Sequence, residues 1–147
     1  MKRSAGVIII DAKTQDEPTV LCLRAYSNWD FPKGAVEKDE QIAVAAFREL
    51  EEETGYKFKD VKLNSDILGR HIQVPVIVSH GKGKNQKQII LFLSELSNFK
   101  KEPVLKVNPE LGKPEHDEWR WVKISELEAL MPKHFAPVAK MLNKLGI

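Results

Sequence analysis

Apolar residues along this chain gather in short runs that alternate with polar, turn-forming stretches. Two early runs, AGVIII at 5–10 and TVLCLRA at 19–25, predict strands, and the segment DAKTQDEP between them has turn composition. Runs at 62–79 and 87–96, joined by the glycine- and lysine-rich connection HGKGKNQ, predict a strand-rich middle with a hairpin. The segment EWRWVKI at 118–124 predicts a further strand. The strands are therefore expected along the whole length of the chain.

Between the second predicted strand and this middle region, the spacing of the apolar residues becomes that of a helix. A helix is predicted from Asp39, as its capping residue, to about Thr54, and Gly55 is placed to end it. At about 100° per residue, one side of this helix is apolar and is expected to face the core. The residues of that side are Ala43, Ala46, Phe47 and Leu50.

Two more helices are predicted near the C-terminus. The segment SELEALM opens with Ser125 and has Glu128 three residues later, which is typical of a capping box. The last helix is predicted from Ala136 to Leu145, with Pro137 in its first turn. The whole pattern predicts one mixed α+β domain over residues 1–147, with two or three helices around a largely antiparallel or mixed sheet.

Composition narrows the class of protein. The 147 residues are 42% hydrophobic and 30% charged, which is ordinary for a globular chain that closes a core. A net charge of +2 is too small to favour duplex nucleic acid as the main partner. Cys22 is the single cysteine, so an intramolecular disulfide is excluded, and its apolar surroundings predict a buried thiol. No apolar run is long enough for a membrane span or a signal segment, so we expect a cytoplasmic protein without a membrane partner.

The C-terminal end of the first predicted helix is unusually acidic. Glu49, Glu51, Glu52 and Glu53 follow one another closely, and three of them share one face, with Glu51 pointing away. Negative charge is disfavoured at a helix C-terminus, and like charges at these spacings repel each other. The cluster is either a solvated helix face or a site for a divalent cation, for which carboxylates are suitable ligands.

Residues 34–56, GAVEKDEQIAVAAFRELEEETGY, resemble the Nudix box. The matching positions are Gly34, Glu40, Arg48, Glu49, Leu50, Glu52, Glu53 and Gly55. The resemblance implies a Nudix fold, which is an α/β/α sandwich with a mixed central sheet and the characteristic loop and helix. It also implies hydrolysis of a nucleoside diphosphate linked to another moiety.

The resemblance also implies roles for individual residues. Mg²⁺, or Mn²⁺, would be held by Glu49, Glu52, Glu53 and the Gly34 carbonyl. Arg48 would orient these carboxylates, and Glu40 would pair with Arg48 to brace the loop against the helix. The spacing alone also predicts a two-pronged hydrogen bond from Arg48 to Glu52, because Arg48 lies one helical turn before it. Glu52 is our choice for the general base that accepts a proton from water.

Segments outside the box point to a substrate class. NWDFPKGAVE resembles the loop of diadenosine tetraphosphate hydrolases, with Lys33 placed either to meet phosphate or to be solvated. PEHDEWRWVKISEL resembles a segment shared by those hydrolases and RNA 5′-pyrophosphohydrolases, which implies that Glu115 is a further metal ligand. Without the family, the same segment is an acidic loop in which His116 is a surface residue. The tyrosines on which such hydrolases usually stack adenine are missing from the central strands.

The predicted hairpin connection between 80 and 87 carries three lysines, Lys82, Lys84 and Lys87. They either keep the connection soluble or bind a distal phosphate or an RNA 5′ end. The leading hypothesis is hydrolysis of dinucleoside polyphosphates, a small-molecule nucleotide substrate. The alternatives are an RNA 5′-pyrophosphohydrolase, a nucleoside triphosphate pyrophosphatase, and a Nudix module that senses a nucleotide without hydrolysing it. The oligomeric state stays open.

Overall fold

The computed structural model describes residues 2–63, 66–67, 70–71 and 75–145, and these form twelve strands and three α-helices. The strands are β1 (Lys2–Asp11), β2 (Thr19–Ala25), β3 (Asn28–Asp30), β4 (Lys33–Ala35), β5 (Val61–Leu63), β6 (Asp66–Ile67), β7 (Arg70–His71), β8 (Val76–His80), β9 (Lys87–Leu96), β10 (Val107–Asn108), β11 (Lys113–Pro114) and β12 (Glu118–Lys123). The helices are α1 (Ile42–Thr54), α2 (Ile124–Leu130) and α3 (Ala136–Lys144).

One mixed sheet organises the molecule. Its main path runs β12-β2-β1-β9-β5, while β3 pairs with β2, β4 with β1 and β8 with β9. β1 and β9 are parallel from Lys2 opposite Lys87 to Ile10 opposite Glu95, and the other pairs in this sheet are antiparallel. The predicted mixed sheet is therefore confirmed.

The central strand β1 separates two hydrophobic cores. Val7 and Ile9 face α1, where they pack with the buried side of that helix. Ile8 and Ile10 face the opposite side, where they pack with α2 and α3. Because successive residues of a strand point to opposite faces, a continuous apolar strand needs a helix layer on each side. This arrangement confirms the α/β/α sandwich.

The start of α1 differs from the prediction. The helix begins at Ile42, and Gln41 rather than Asp39 occupies the capping position. Asp39 has a left-handed φ of 64° in a turn where the Glu40 N–H donates to the Glu37 carbonyl oxygen at 3.1 Å. The Glu40 side chain in turn accepts from the Glu37 N–H at 3.0 Å. The prediction of Asp39 as the capping residue was wrong because Asp39 lies in this turn. The two hydrogen bonds between Glu37 and Glu40 hold the turn in a non-helical conformation ahead of the helix.

The end of α1 was predicted correctly. Gly55 has a φ of 79° and its N–H donates to the Glu51 carbonyl oxygen at 3.0 Å, which is the left-handed helix ending that glycine favours. One residue of the predicted apolar side was wrong. Ala43 is exposed, whereas Ala45, two residues later, is fully buried.

The capping box predicted at Ser125 is not formed. α2 begins at Ile124, which places Ser125 inside the first turn. The Ser125 N–H donates instead to Oε1 of Glu17, at 3.1 Å. A distant carboxylate thus satisfies a backbone donor that local capping was expected to satisfy. The last helix agrees with the prediction, with a proline in its first turn.

The buried thiol expected at position 22 is confirmed, because Cys22 is fully buried. Trp29 and Phe31 also belong to the core. The predicted strand at 62–79 falls partly on residues outside the described ones, and its described part includes β5 and β8. Among the described helices, none combines the length and the apolar character needed to cross a membrane.

Candidate metal centre

Arg48 connects the loop before α1 to the acids of the helix. Its Nε and Nη2 atoms donate to Glu40 at 2.8 and 3.0 Å, a two-pronged pair. Nη2 also donates to the Ala35 carbonyl oxygen, and Nη1 donates to Oε1 of Glu49, both at 3.0 Å. Hydrogen bonds from Arg48 and from the Glu37 N–H lower the pKa of Glu40 to about 2. One guanidinium therefore fixes the loop and Glu49 relative to each other.

Gly34 lies directly against the Glu49 carboxylate. β4 brings it there, because Gly34 pairs with Ala5 of β1. A Cβ atom on Gly34 would lie well under 3.0 Å from the carboxylate atoms of Glu49. Gly6 meets a similar demand on β1, where a Cβ atom would collide with the Pro32 carbonyl oxygen. Two glycines thus allow the loop to approach both the strand and the helix.

Glu53 is the most deeply buried acid of the site. Its side chain is 7% exposed, and Oε1 accepts a hydrogen bond from the Lys33 N–H at 3.0 Å. Oε2 lies 3.9 Å from Nδ1 of His116, which is also buried. Glu115 completes the group, since one ligand atom each of Glu53, Glu115 and His116 lie within 4.8 Å of one another. Helix α1 and the loop before β12 therefore supply donors to the same place.

Arg24 anchors the loop that carries Glu115 and His116. The Asp117 N–H donates to the Arg24 carbonyl oxygen at 2.9 Å, and Arg24 Nε donates to Oδ1 of Asp117 at 2.9 Å. The next residue, Glu118, starts β12 and pairs with Arg24 in the sheet. The edge of the sheet therefore sets the position of the loop that faces Glu53.

These carboxylates are unfavourable neighbours without a cation. Burial, followed by the hydrogen bond and charge of Glu115 and the charge of Glu49, raises the pKa of Glu53 to about 10. Burial also raises the pKa of Glu49, although Arg48 acts in the opposite direction. A divalent cation would offset both burial and repulsion, and oxygen donors are those that Mg²⁺ prefers. The donor set therefore fits a divalent metal ion.

A basic cluster, defined here as Lys33, His80, Lys87 and His134, lies beside Asp30. Lys33 Nζ is 3.1 Å from Oδ2 of Asp30, and the rings of His80 and His134 stack with centroids 3.9 Å apart. Burial, together with the charges of the other three members, lowers the pKa of His134 to about 4. Burial and the charge of Lys33 lower the pKa of Lys87. The cluster holds its positive charges close enough to repel one another.

A family model described as the NUDIX domain matches residues 1–145. The chain belongs to the Nudix family. The curated RNA pyrophosphohydrolase of Pseudomonas putida is 34% identical over an alignment of 129 positions, which covers 81% of this chain and 74% of that protein. The RNA pyrophosphohydrolase of Bartonella henselae is 28% identical over an alignment of 148 positions, gaps included, which covers 88% of this chain and 80% of that protein. The binary complex of a C. elegans Ap4A hydrolase matches with a TM-score of 0.78 and 19% identity, covering 98% of this chain and 96% of that one, and this likeness shows the fold.

Most positions of the Nudix box converge in the structure. The residues brought together are Gly34, Glu40, Arg48, Glu49 and Glu53, and Glu115 joins them from outside the box. Glu52 lies at the edge, with a side chain that is 56% exposed and 3.3 Å from Nη1 of Arg48. Glu51 points away, as expected, and lies 3.9 Å from Lys57 Nζ.

Several expectations need correction. The two-pronged partner of Arg48 is Glu40. Glu52 accepts hydrogen bonds from one nitrogen only, Nη1 of Arg48, which lies 3.3 and 3.4 Å from its two carboxylate oxygens. His116 was expected at the surface but is 7% exposed. Of the predicted substrate-binding lysines, Lys33 and Lys87 belong to the basic cluster. The other two, Lys82 and Lys84, are exposed in the connection between β8 and β9.

Sequence reasoning did not single out Gly6 or Arg24, and it considered His116 only as a surface residue. Gly6 lies near the start of the apolar run of β1, where a glycine is unfavourable unless another backbone approaches closely, and this signal was available. Arg24 contacts a residue 93 positions away, so its sequence neighbourhood carries no sign of the contact. His116 follows Glu115 directly, and only the fold decides that it points inwards.

Proposed function

We propose that this Nudix protein is a Mg²⁺-dependent pyrophosphohydrolase, with Mn²⁺ as a possible substitute, that hydrolyses dinucleoside polyphosphates such as diadenosine tetraphosphate. The observation that carries the proposal is the convergence of Glu49, Glu53 and Glu115 on one place, braced by Arg48. Three carboxylates that repel one another in a partly buried site are suited to a cation and to the polyanion that the cation neutralises.

The metal would be held by Glu49, Glu52, Glu53, Glu115 and the Gly34 carbonyl oxygen. A divalent cation supplies neutralisation of the phosphate chain and acidification of water. In the proposed reaction, the oxygen of water forms a bond to phosphorus and the bridging anhydride P–O bond breaks. The leaving phosphate takes the electron pair, and Glu52 accepts the proton of the water. The exposure of Glu52 supports this role, because water reaches its carboxylate.

The basic cluster supports binding of the phosphate chain. The backbone N–H of Lys33 contacts Glu53 while its ammonium group reaches Asp30, so this residue spans the distance between the acids and the cluster. Lys87 lies close to it on β9. We propose that these two lysines bind phosphates that extend beyond the metal, and that Lys82 and Lys84 extend the positive charge along the connection between β8 and β9.

A second candidate is an RNA 5′-pyrophosphohydrolase. Two curated relatives that cover most of this chain carry that name, at 34% and 28% identity. The same lysines would then meet the 5′ phosphates of RNA. Hydrolysis of nucleoside triphosphates and non-catalytic sensing are less well supported. A sensing module does not need the complete set of acids around Arg48 that this chain retains.

A product screen tests the proposal. The protein is incubated with Mg²⁺ and diadenosine tetraphosphate, triphosphorylated RNA or nucleoside triphosphates, with and without EDTA, and the nucleotide products are separated. We expect ATP and AMP from the dinucleotide, with the highest kcat/KM of the series and no activity in EDTA. A preference for RNA would contradict the proposed dinucleotide substrate and remain consistent with the proposed metal centre. Absence of turnover with every compound would contradict the proposed hydrolysis and favour a module that senses a nucleotide.

A further inference from the structure

His116 places a nitrogen atom beside the carboxylates of the metal centre. Nδ1 lies 3.9 Å from Oε2 of Glu53, and donor atoms of His116, Glu53 and Glu115 lie within 4.8 Å of one another. A separation of 3.9 Å is too long for a hydrogen bond. It suits two donors of one ion, because metal–ligand distances of about 2.1 Å place donors roughly 3.0 to 4.2 Å apart.

The burial and anchoring of His116 also distinguish it from a solvated histidine. Its side chain is 8% exposed, and its carboxylate neighbour on α1 is 7% exposed. The following residue, Asp117, is tied to Arg24 through a backbone and a side-chain hydrogen bond, both of 2.9 Å. The fold therefore holds the imidazole at the acids with little freedom to turn away.

We propose that His116 ligates the same cation as Glu53 and Glu115, so that the centre is a mixed nitrogen and oxygen site. This proposal rests on the metal-dependent hydrolysis proposed above. Mg²⁺ prefers oxygen donors, whereas imidazole suits later transition metals such as Co²⁺. The nitrogen donor therefore shifts the selectivity of the centre towards such ions, and it makes His116 a residue that determines which metal the enzyme uses.

Substitution of His116 by Asn tests the nitrogen donor. The amide replaces nitrogen by an oxygen donor near the position of Nδ1, and so it should retain Mg²⁺ binding. Co²⁺ binding is followed by its visible absorption, and Mg²⁺ affinity by competition against Co²⁺. We expect His116→Asn to weaken Co²⁺ binding by about tenfold or more, the size typical of a lost ligand-shell contact, and Mg²⁺ binding by less than about threefold.

His80→Asn is the matched control, because His80 is stacked on His134 in the basic cluster rather than placed at the carboxylates. It should leave both metal affinities unchanged. Equal losses of Co²⁺ and Mg²⁺ affinity in His116→Asn, or no loss of either, would overturn the role of His116 and leave the proposed hydrolase intact. Failure of the wild-type protein to bind either metal would overturn both proposals.

A measurement on the wild-type protein avoids dependence on the folding of a variant. Mn²⁺ is added at less than one equivalent, and pulsed electron paramagnetic resonance records coupling to nitrogen-14. A directly bound imidazole gives a nitrogen modulation of the electron spin echo. We expect that modulation in the wild-type protein, and its absence there would exclude His116 as a ligand.

Discussion

Gly34→Ala should separate catalysis from stability, because its one added atom falls on a proposed metal ligand. Gly34 does not have the left-handed φ that penalises alanine, so the backbone accepts the change. The new Cβ atom would overlap the Glu49 carboxylate, the far end of a flexible side chain. The side chain therefore moves, and the strand stays.

The size of the effect follows from the distance that Glu49 must move. Ordinary contact begins at 3.4 Å, so the carboxylate must retreat by about 1 Å. A misplacement of about 1 Å at a reacting centre lowers the rate by about 100-fold, which corresponds to about 2.7 kcal/mol in the activation free energy. The move also weakens the 3.0 Å hydrogen bond from Arg48, worth about 1 kcal/mol of unfolding free energy. For a chain of this size, that lowers Tm by about 2–4 °C.

Steady-state kinetics and thermal unfolding of Gly34→Ala and Gly55→Ala test this reasoning together. Gly55 has a φ of 79° and open space around its Cα, so alanine there costs about 1 kcal/mol of strain without touching the site. Both variants should lose similar stability, while only Gly34→Ala should lose kcat. The cycle with Glu49→Gln decides the cause, since the double variant should be no slower than Glu49→Gln alone. Additive losses would refute the action of Gly34 through Glu49.

Three further predictions concern single residues. Arg48→Lys should lower kcat/KM by about 10- to 100-fold, because lysine cannot reproduce the two-pronged hydrogen bond to Glu40. Full activity of this variant in steady-state assays would contradict the bracing role of Arg48. Glu53→Gln should lower kcat by several orders of magnitude with far-UV circular dichroism unchanged, as expected for a lost ligand, whereas Glu51→Gln, on the other face, should match the wild type. Asp60→Asn tests a pH effect: burial opposes ionisation, but hydrogen bonds led by that from Asn98 lower the pKa of Asp60 from 3.8 to about 2. Ionised Asp60 should thus stabilise the fold by about 2 kcal/mol above pH ~4, and this contribution should be lost as the pH falls through about 2. Denaturant unfolding should therefore show that the difference in unfolding free energy between wild type and Asp60→Asn decreases between pH ~4 and pH ~2.

The sequence was informative wherever spacing alone places a group. The spacing of Glu49, Glu52 and Glu53 predicted that these three acids share one helix face, and the glycine at 55 ends the helix as predicted. Alternation of apolar runs predicted the strands, and β9 was predicted with its observed bounds. These features are local, so the residues that specify them are neighbours in the chain.

Features that depend on distant partners were not predictable. Asp39 has the composition of a cap, but the turn around Glu37 and Glu40 excludes it from the helix. Ser125 has the spacing of a capping box, but Glu17 satisfies its N–H. The inward position of His116 depends on packing between β12 and β2, which no property of its own segment encodes. Local signals fail where a tertiary partner satisfies the same backbone group first.

The closure of the loop by Arg48 has a consequence for how this protein tolerates change in length. The Arg48 side chain donates hydrogen bonds to the Ala35 carbonyl oxygen and to Glu40. The segment from Ala35 to Arg48 is therefore a ring that side-chain contacts close. One residue inserted into the helical part would rotate Arg48 and Glu49 by about 100° and open the ring. An insertion into the exposed connection at 81–86 meets no such constraint. Related proteins can therefore differ at most residues of this ring, but hardly at all in the number of residues between its contacts. The spacing of these residues then still identifies a related chain when its overall sequence identity has become low.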